Sequence, residues 1–241
     1  MPDSPDYQKY LPNSNRFSLQ DMGELAARLG SVNVFDRRGE TVFYETFDHG
    51  LSGWITNISG VGSSVSISAS HIHRHPYTAK LVCGTTGNKF ALIQKRVGGI
   101  NTKRVGLEVC WCLNLGDNLI ICGLDVNDGV TNFSGAVDFN GVTNIWRVQD
   151  ENGVMQPVFT KPMEVGNSFI FIPVKIVMDV ETGYYVRLLI SDDNVDISNL
   201  KIKSQAVATA INYSALIENL GDGSTLTELY VAHIIITANE P

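Results

Sequence analysis

The chain has 241 residues, is 44% hydrophobic, and carries 18 Lys and Arg against 25 Asp and Glu, a formal net charge of -7. A chain of this length buries roughly 70% of its extended surface, enough for one large core plus an arm. The acid excess argues against a general nucleic-acid or anionic-membrane binder, and no apolar run reaches the roughly 20 residues of a membrane-spanning helix.

Residues 1–40 read differently from the rest. Met1 to Asn15 combines prolines and tyrosines with Asp, Ser and Asn, a composition that forms no core of its own and reads as an extended arm. It lacks a basic stretch followed by an apolar one, so no classical secretion signal is encoded and synthesis in the cytoplasm is expected. Ser18 and Asp21 give a capping-box-like start, and Leu19, Met22, Leu25, Ala26 and Leu29 recur at helical spacing until Gly30. This predicts one amphipathic helix over 19–29. About three turns are not stable alone, so the apolar stripe needs the chain's own body or a partner. Tyr7, Tyr10, Leu11, Phe17, Leu19, Met22, Leu25 and Leu29 are the candidate partner-binding residues.

From residue 41 to 241 the pattern changes to short β-rich runs. They are Thr41 to Phe47, Val65 to Ala69, Ala79 to Val82, Phe90 to Gln94, Val105 to Leu113, Leu119 to Val126, Gly135 to Phe139, Asn144 to Val148, Ser168 to Val180, Tyr184 to Ser191 and Leu229 to Thr237. Turn signals separate them, among them Asn127-Asp-Gly129, Asn140-Gly141, Asn152-Gly153 and Thr182-Gly183. Such spacing predicts an all-β, two-sheet antiparallel sandwich. Val207 to Leu220, Ala-rich and irregular, is the second helical candidate. Lys95-Arg96 with Lys103-Arg104 reads as a solvated hairpin, and Cys83, Cys110, Cys112 and Cys122 as buried thiols.

Within this body, VFYETFDHGLSGW (Val42 to Trp54) resembles the opening strand and turn of carbohydrate-binding-module jelly rolls. IPVKIVMDVETGYYVRLLISDDNVDISNLKI resembles the back-to-back strands of concanavalin A-like, laminin-G-like domains, and ELYVAHIIITANEP their closing strand. The resemblance implies a jelly-roll sandwich over most of 41–241. The segment YLPNSNRFSLQDMGELAARLGSVNVFDRRGE resembles the leader of proteins encoded among bacteriophage head genes.

Several residues invite a chemical reading. His71, His73 and His75 would share one face of an extended segment at about 7 Å intervals, a spacing at which two could share a metal ion. Asp125, Asn127 and Asp128 form an oxygen-rich turn that could hold calcium, although the following residues do not complete a calcium loop. A flat indole covers the apolar face of a sugar ring, which makes Trp146, beside Arg147 on a polar strand, and Trp54 the carbohydrate candidates; Trp111 between two cysteines reads as core. Glu108 has no companion carboxylate in its strand, the dense E-x-D-x-E pattern of laminarinase-like members is absent, and no serine-hydrolase, zinc-protease or phosphate-loop motif occurs.

The resulting expectation is a non-enzymatic virion protein without a cofactor. The arm would hold a capsid or a neighbouring subunit, the body would face solvent, and copies would associate as a homo-oligomer. The alternative is a carbohydrate-binding module that recognises a surface glycan.

Overall fold

The computed structural model describes residues 35, 36, 38–100, 102–114, 118–163, 170–221 and 225–241. The expected arm and the helix over 19–29 lie outside them, and so do all eight of the candidate partner-binding residues. The chain divides into two compact units, Met1–Arg38 and Gly39–Pro241.

The larger unit is built from antiparallel strands. In chain order they are β1 Glu40–Glu45, β2 Ile55–Val61, β3 Ser64–Ser68, β4 Thr78–Cys83, β5 Thr86–Gly98 and β6 Arg104–Leu113. Next come β7 Asn118–Asn127, β8 Thr131–Asn140, β9 Ile145–Gln149, β10 Met155–Thr160 and β11 Ile172–Asp179. The last five are β12 Tyr184–Ile190, β13 Asp193–Val195, β14 Lys203–Ala206, β15 Asn212–Gly221 and β16 Thr227–Ala238.

These strands make two sheets. The first runs β13-β12-β11-β6-β16-β4-β3, with β1 also paired to β16. The second runs β10-β9-β8-β7-β15-β5-β2, with β14 also paired to β8. Successive side chains on a strand point to opposite faces, so each strand sends alternate residues between the sheets. From the first sheet these include Val105, Leu107, Val109, Trp111 and Leu113 of β6; from the second, Ile120, Cys122, Leu124 and Val126 of β7, all in one buried cluster. Each such side chain contributes about 1.5–3 kcal/mol on burial. Trp111, Phe139 and Trp146 stack at one end of this core with ring centroids 4.8 to 6.0 Å apart.

Three sequence expectations are corrected. Val207 to Leu220 is not a helix: residues 207–211 are irregular and β15 follows, held between β5 and β7 along its length. Two backbone ladders outweigh the small helical preference of an Ala-containing segment. The basic cluster is not a hairpin either, because β5 and β6 belong to different sheets. Arg104 pairs with Asp179 at 2.9 Å and Lys103 with Glu181 at 2.7 Å.

The third correction concerns the histidines. Residues 69–77 are bends rather than extended strand, so His71, His73 and His75 diverge. His71 meets the Tyr230 ring at 4.4 Å, His75 Nε2 lies 2.9 Å from the Tyr44 hydroxyl, and His73 packs on Phe171 and His233.

Strand β16 is interrupted by one bulge. Val231 is registered with Trp111 and His233 with Cys110, leaving Ala232 as an extra residue. The bulge reverses the alternation, so Val231 and Ile234 both join the core while His233 turns to the outer face.

Candidate functional site

The outer face of the second sheet carries ordered rows of side chains. Arg96 of β5 is registered with Ser214 of β15, Ser214 with Asp125 of β7, Asp125 with Ser134 of β8, and Ser134 with Lys203 of β14. The neighbouring row is Gly98, Asn212, Asn127, Asn132 and Gln205. Strands lie about 4.8 Å apart and residues two apart on a strand about 6.7 Å, so the two rows form a compact polar grid. On β5, β15, β7 and β8 the sequence produces it through alternation, since Val97, Tyr213, Val126 and Phe133 between the two rows point toward the core.

Segment 207–211 rises beside this grid, and together they enclose a groove of about 730 Å³. Arg96, Asp125, Asn127, Asn132, Gln205 and Ser214 supply its hydrogen-bonding groups, and Val207 and Ile211 its apolar ones. The volume falls in the ordinary range of small-molecule sites. Part of the grid is already positioned: Gln94 Nε2 donates to Ser214 Oγ at 2.9 Å, and Ser134 Oγ donates to Asp125 Oδ1 at 2.5 Å. Each bond holds a side chain in one orientation while leaving further donor or acceptor capacity toward the groove.

Farther along the same face, Arg147 of β9 and Asp138 of β8 form a bidentate pair at 2.9 and 2.7 Å. Asp138 is buried; burial raises its carboxyl above the usual range even though the Arg147 guanidinium pulls it down. The Arg147 guanidinium is therefore committed to Asp138.

The two indole candidates are corrected. Trp146 is 1% exposed and stacked in the core: Arg147 points outward, so its neighbour on the strand points inward. Trp54 is 8% exposed and donates from Nε1 to Glu45 Oε2 at 3.0 Å, tying the opening turn to β1. Neither presents a ring face to a sugar. Trp111 is in the core.

The oxygen-rich turn is also dispersed. Asp128 Oδ1 accepts the backbone N–H groups of Val130 and Thr131, which hold its carboxyl below the ordinary range. Asn127 Oδ1 accepts from Gly129, and Asp125 faces the groove with Ser134. The residues that sequence reasoning misses are Arg96, Ser214, Asn132 and Gln205. No local motif marks them, because only strand register brings them together.

Architecture and site together define a two-sheet antiparallel β-sandwich with a polar groove on one outer face. Neither a family model nor a curated protein sequence matches the chain. Among solved structures it is similar to an endo-β-1,4-glucuronan lyase from the fungus Trichoderma reesei, at 11% identity and TM-score 0.58 over 83% of this chain and 96% of that one. It is also similar to the carbohydrate recognition domain of Emp47p, at 11% identity and TM-score 0.53 over 84% and 98%. A third likeness is to a carbohydrate esterase of the Shiga toxin-encoding bacteriophage phi24B, at 9% identity and TM-score 0.50 over 84% and 100%. At these identities the shared property is the fold, which hosts both binding and catalysis.

Proposed function

We propose that the protein binds carbohydrate in the groove on the outer face of the second sheet. The observation that carries this reading is the registered grid of Arg96, Ser214, Asp125, Asn127, Asn132 and Gln205 lining an open groove. Sugar hydroxyls both donate and accept. Amides meet both needs, a carboxylate accepts, and a guanidinium donates in a fixed fork. The recognition domain, the lyase and the esterase are all named for carbohydrate, which supports the same reading.

The groove offers no aromatic platform among its lining residues, so recognition rests on hydrogen bonds, with Val207 and Ile211 against the apolar ring faces. Screening on a glycan array, followed by calorimetric titration of the best ligand, tests the reading. Asp125→Ala and Arg96→Ala should each weaken binding by about 10-fold or more, as expected for a lost charged hydrogen bond. Absence of binding across a wide array, or equal binding by both variants, overturns it.

A virion role for the same chain rests on the leader resemblance of residues 10–40, and the phage origin of the similar esterase is compatible with it. In that role the groove would hold a glycan near the particle while the leader holds the particle itself.

A further inference from the structure

We infer a second site on the outer face of the first sheet, where His73, Cys110 and His233 form a three-ligand centre for a zinc-class divalent cation. It is separate from the groove, since β6 and β16 belong to the other sheet. One ligand nitrogen from each histidine and the Cys110 sulfur all lie within 4.8 Å of one another. The residues come from three places: His73 from the bent segment 69–77, Cys110 from β6 and His233 from β16. The β16 bulge puts His233 directly opposite Cys110 in the ladder.

A tetrahedral zinc ion with bonds of about 2.0–2.3 Å needs its ligand atoms roughly 3.5 Å apart. The cluster must therefore contract by about 1 Å. Cys110 and His233 are fixed in paired strands, and His73 is on the exposed segment outside the ladders, so the movement falls to His73. Two imidazoles and a thiolate select a borderline cation over calcium or magnesium, which prefer oxygen.

A second observation points to the same ligand. Glu108, on the same face of β6 as Cys110, is fully buried, and neither of its carboxylate oxygens has a hydrogen-bond partner. Its Oε1 lies 3.4 Å from His233 Nε2, which also lacks a hydrogen bond. A buried carboxylate without donors is costly unless a positive charge compensates it. A dication held by one thiolate beside one carboxylate gives a neutral centre, with Glu108 neighbouring a ligating histidine as carboxylates commonly do in zinc sites.

Ligation through the Cys110 sulfur would release its thiol proton to solvent. Arg74 is the competing cation near this face.

The test is titration of the full chain with Co²⁺, followed by Zn²⁺. One equivalent of Co²⁺ should produce a thiolate-to-cobalt charge-transfer band that Zn²⁺ abolishes. The band should vanish in Cys110→Ser. His73→Ala, an exposed change that leaves the strands intact, should weaken affinity by about 100-fold or more, at least the cost of losing an outer-shell partner. Absence of the band, its persistence in Cys110→Ser, or unchanged affinity in His73→Ala overturns the site.

Discussion

Asp179 shows how one side chain can hold a corner of the fold. Its Oδ1 accepts the backbone N–H groups of Glu181 and Thr182, closing the turn from β11 to β12, while Oδ2 takes the Arg104 guanidinium at 2.9 Å. Burial alone would raise this carboxyl, but the Arg104 bond and the two backbone donors outweigh it and hold the group below the usual carboxylate range. A carboxyl depressed in the folded state contributes stability that is present above its unfolded pKa and lost as pH falls through the folded one. Asp179→Asn should therefore cost about 1–3 kcal/mol at neutral pH. The gap to the parent should close as the buffer is taken below about pH 4, followed as urea midpoints across a pH series. A gap independent of pH would show that the turn geometry, not the charge, is what matters. At this scale the sequence is least informative: Asp179 sits in a run that reads only as strand and turn, and Trp146 misleads because its polar neighbour Arg147 suggests exposure where alternation requires burial.

Strands are legible where one or both faces meet the core. The continuous apolar runs of β6, β11 and β16 and the alternation of β7 all appear in the sequence, because burial selects the residues that mark them. Strands β2 and β14 are not legible: most of ITNISGV and all of KSQA are exposed, so no inward face signals them. In β15, Asn219 points inward and bonds the carbonyls of Leu81 and Thr227 across the interior. A polar residue in a core position, with Leu216 and Leu220 on the other face, erases the period of two. Close sheet approach is a further hidden requirement. A Cβ on Gly135 of β8 would come within 2.2 Å of Met178 Sδ and 3.1 Å of the Tyr185 ring. Gly135→Ala should cost about 1–3 kcal/mol by overpacking, read as a lower denaturation midpoint with an unchanged slope. No loss would mean that Met178 can swing aside. The candidate site shares the limitation of the exposed strands: Arg96, Ser214 and Asp125 become neighbours only after β5, β15 and β7 are aligned.

At the scale of the molecule, the buried cluster among the described residues is drawn from the Gly39–Pro241 unit. A chain of residues 39–241 should thus unfold in one cooperative transition. Scanning calorimetry checks this; two separate transitions, or one broad one, would mean that the two sheets do not unfold together. The ends of the unit meet in one ladder: Glu40 is registered with Ala238 in the antiparallel pair of β1 and β16, and Asn239 Nδ2 donates to Glu40 Oε2 at 3.0 Å. Tension applied through these two ends pulls across the ladder rather than along it. The hydrogen bonds between β1 and β16 would then break one after another from the Glu40 end, like a zip, so that β1 peels away at low force while the remaining strands still bear no load.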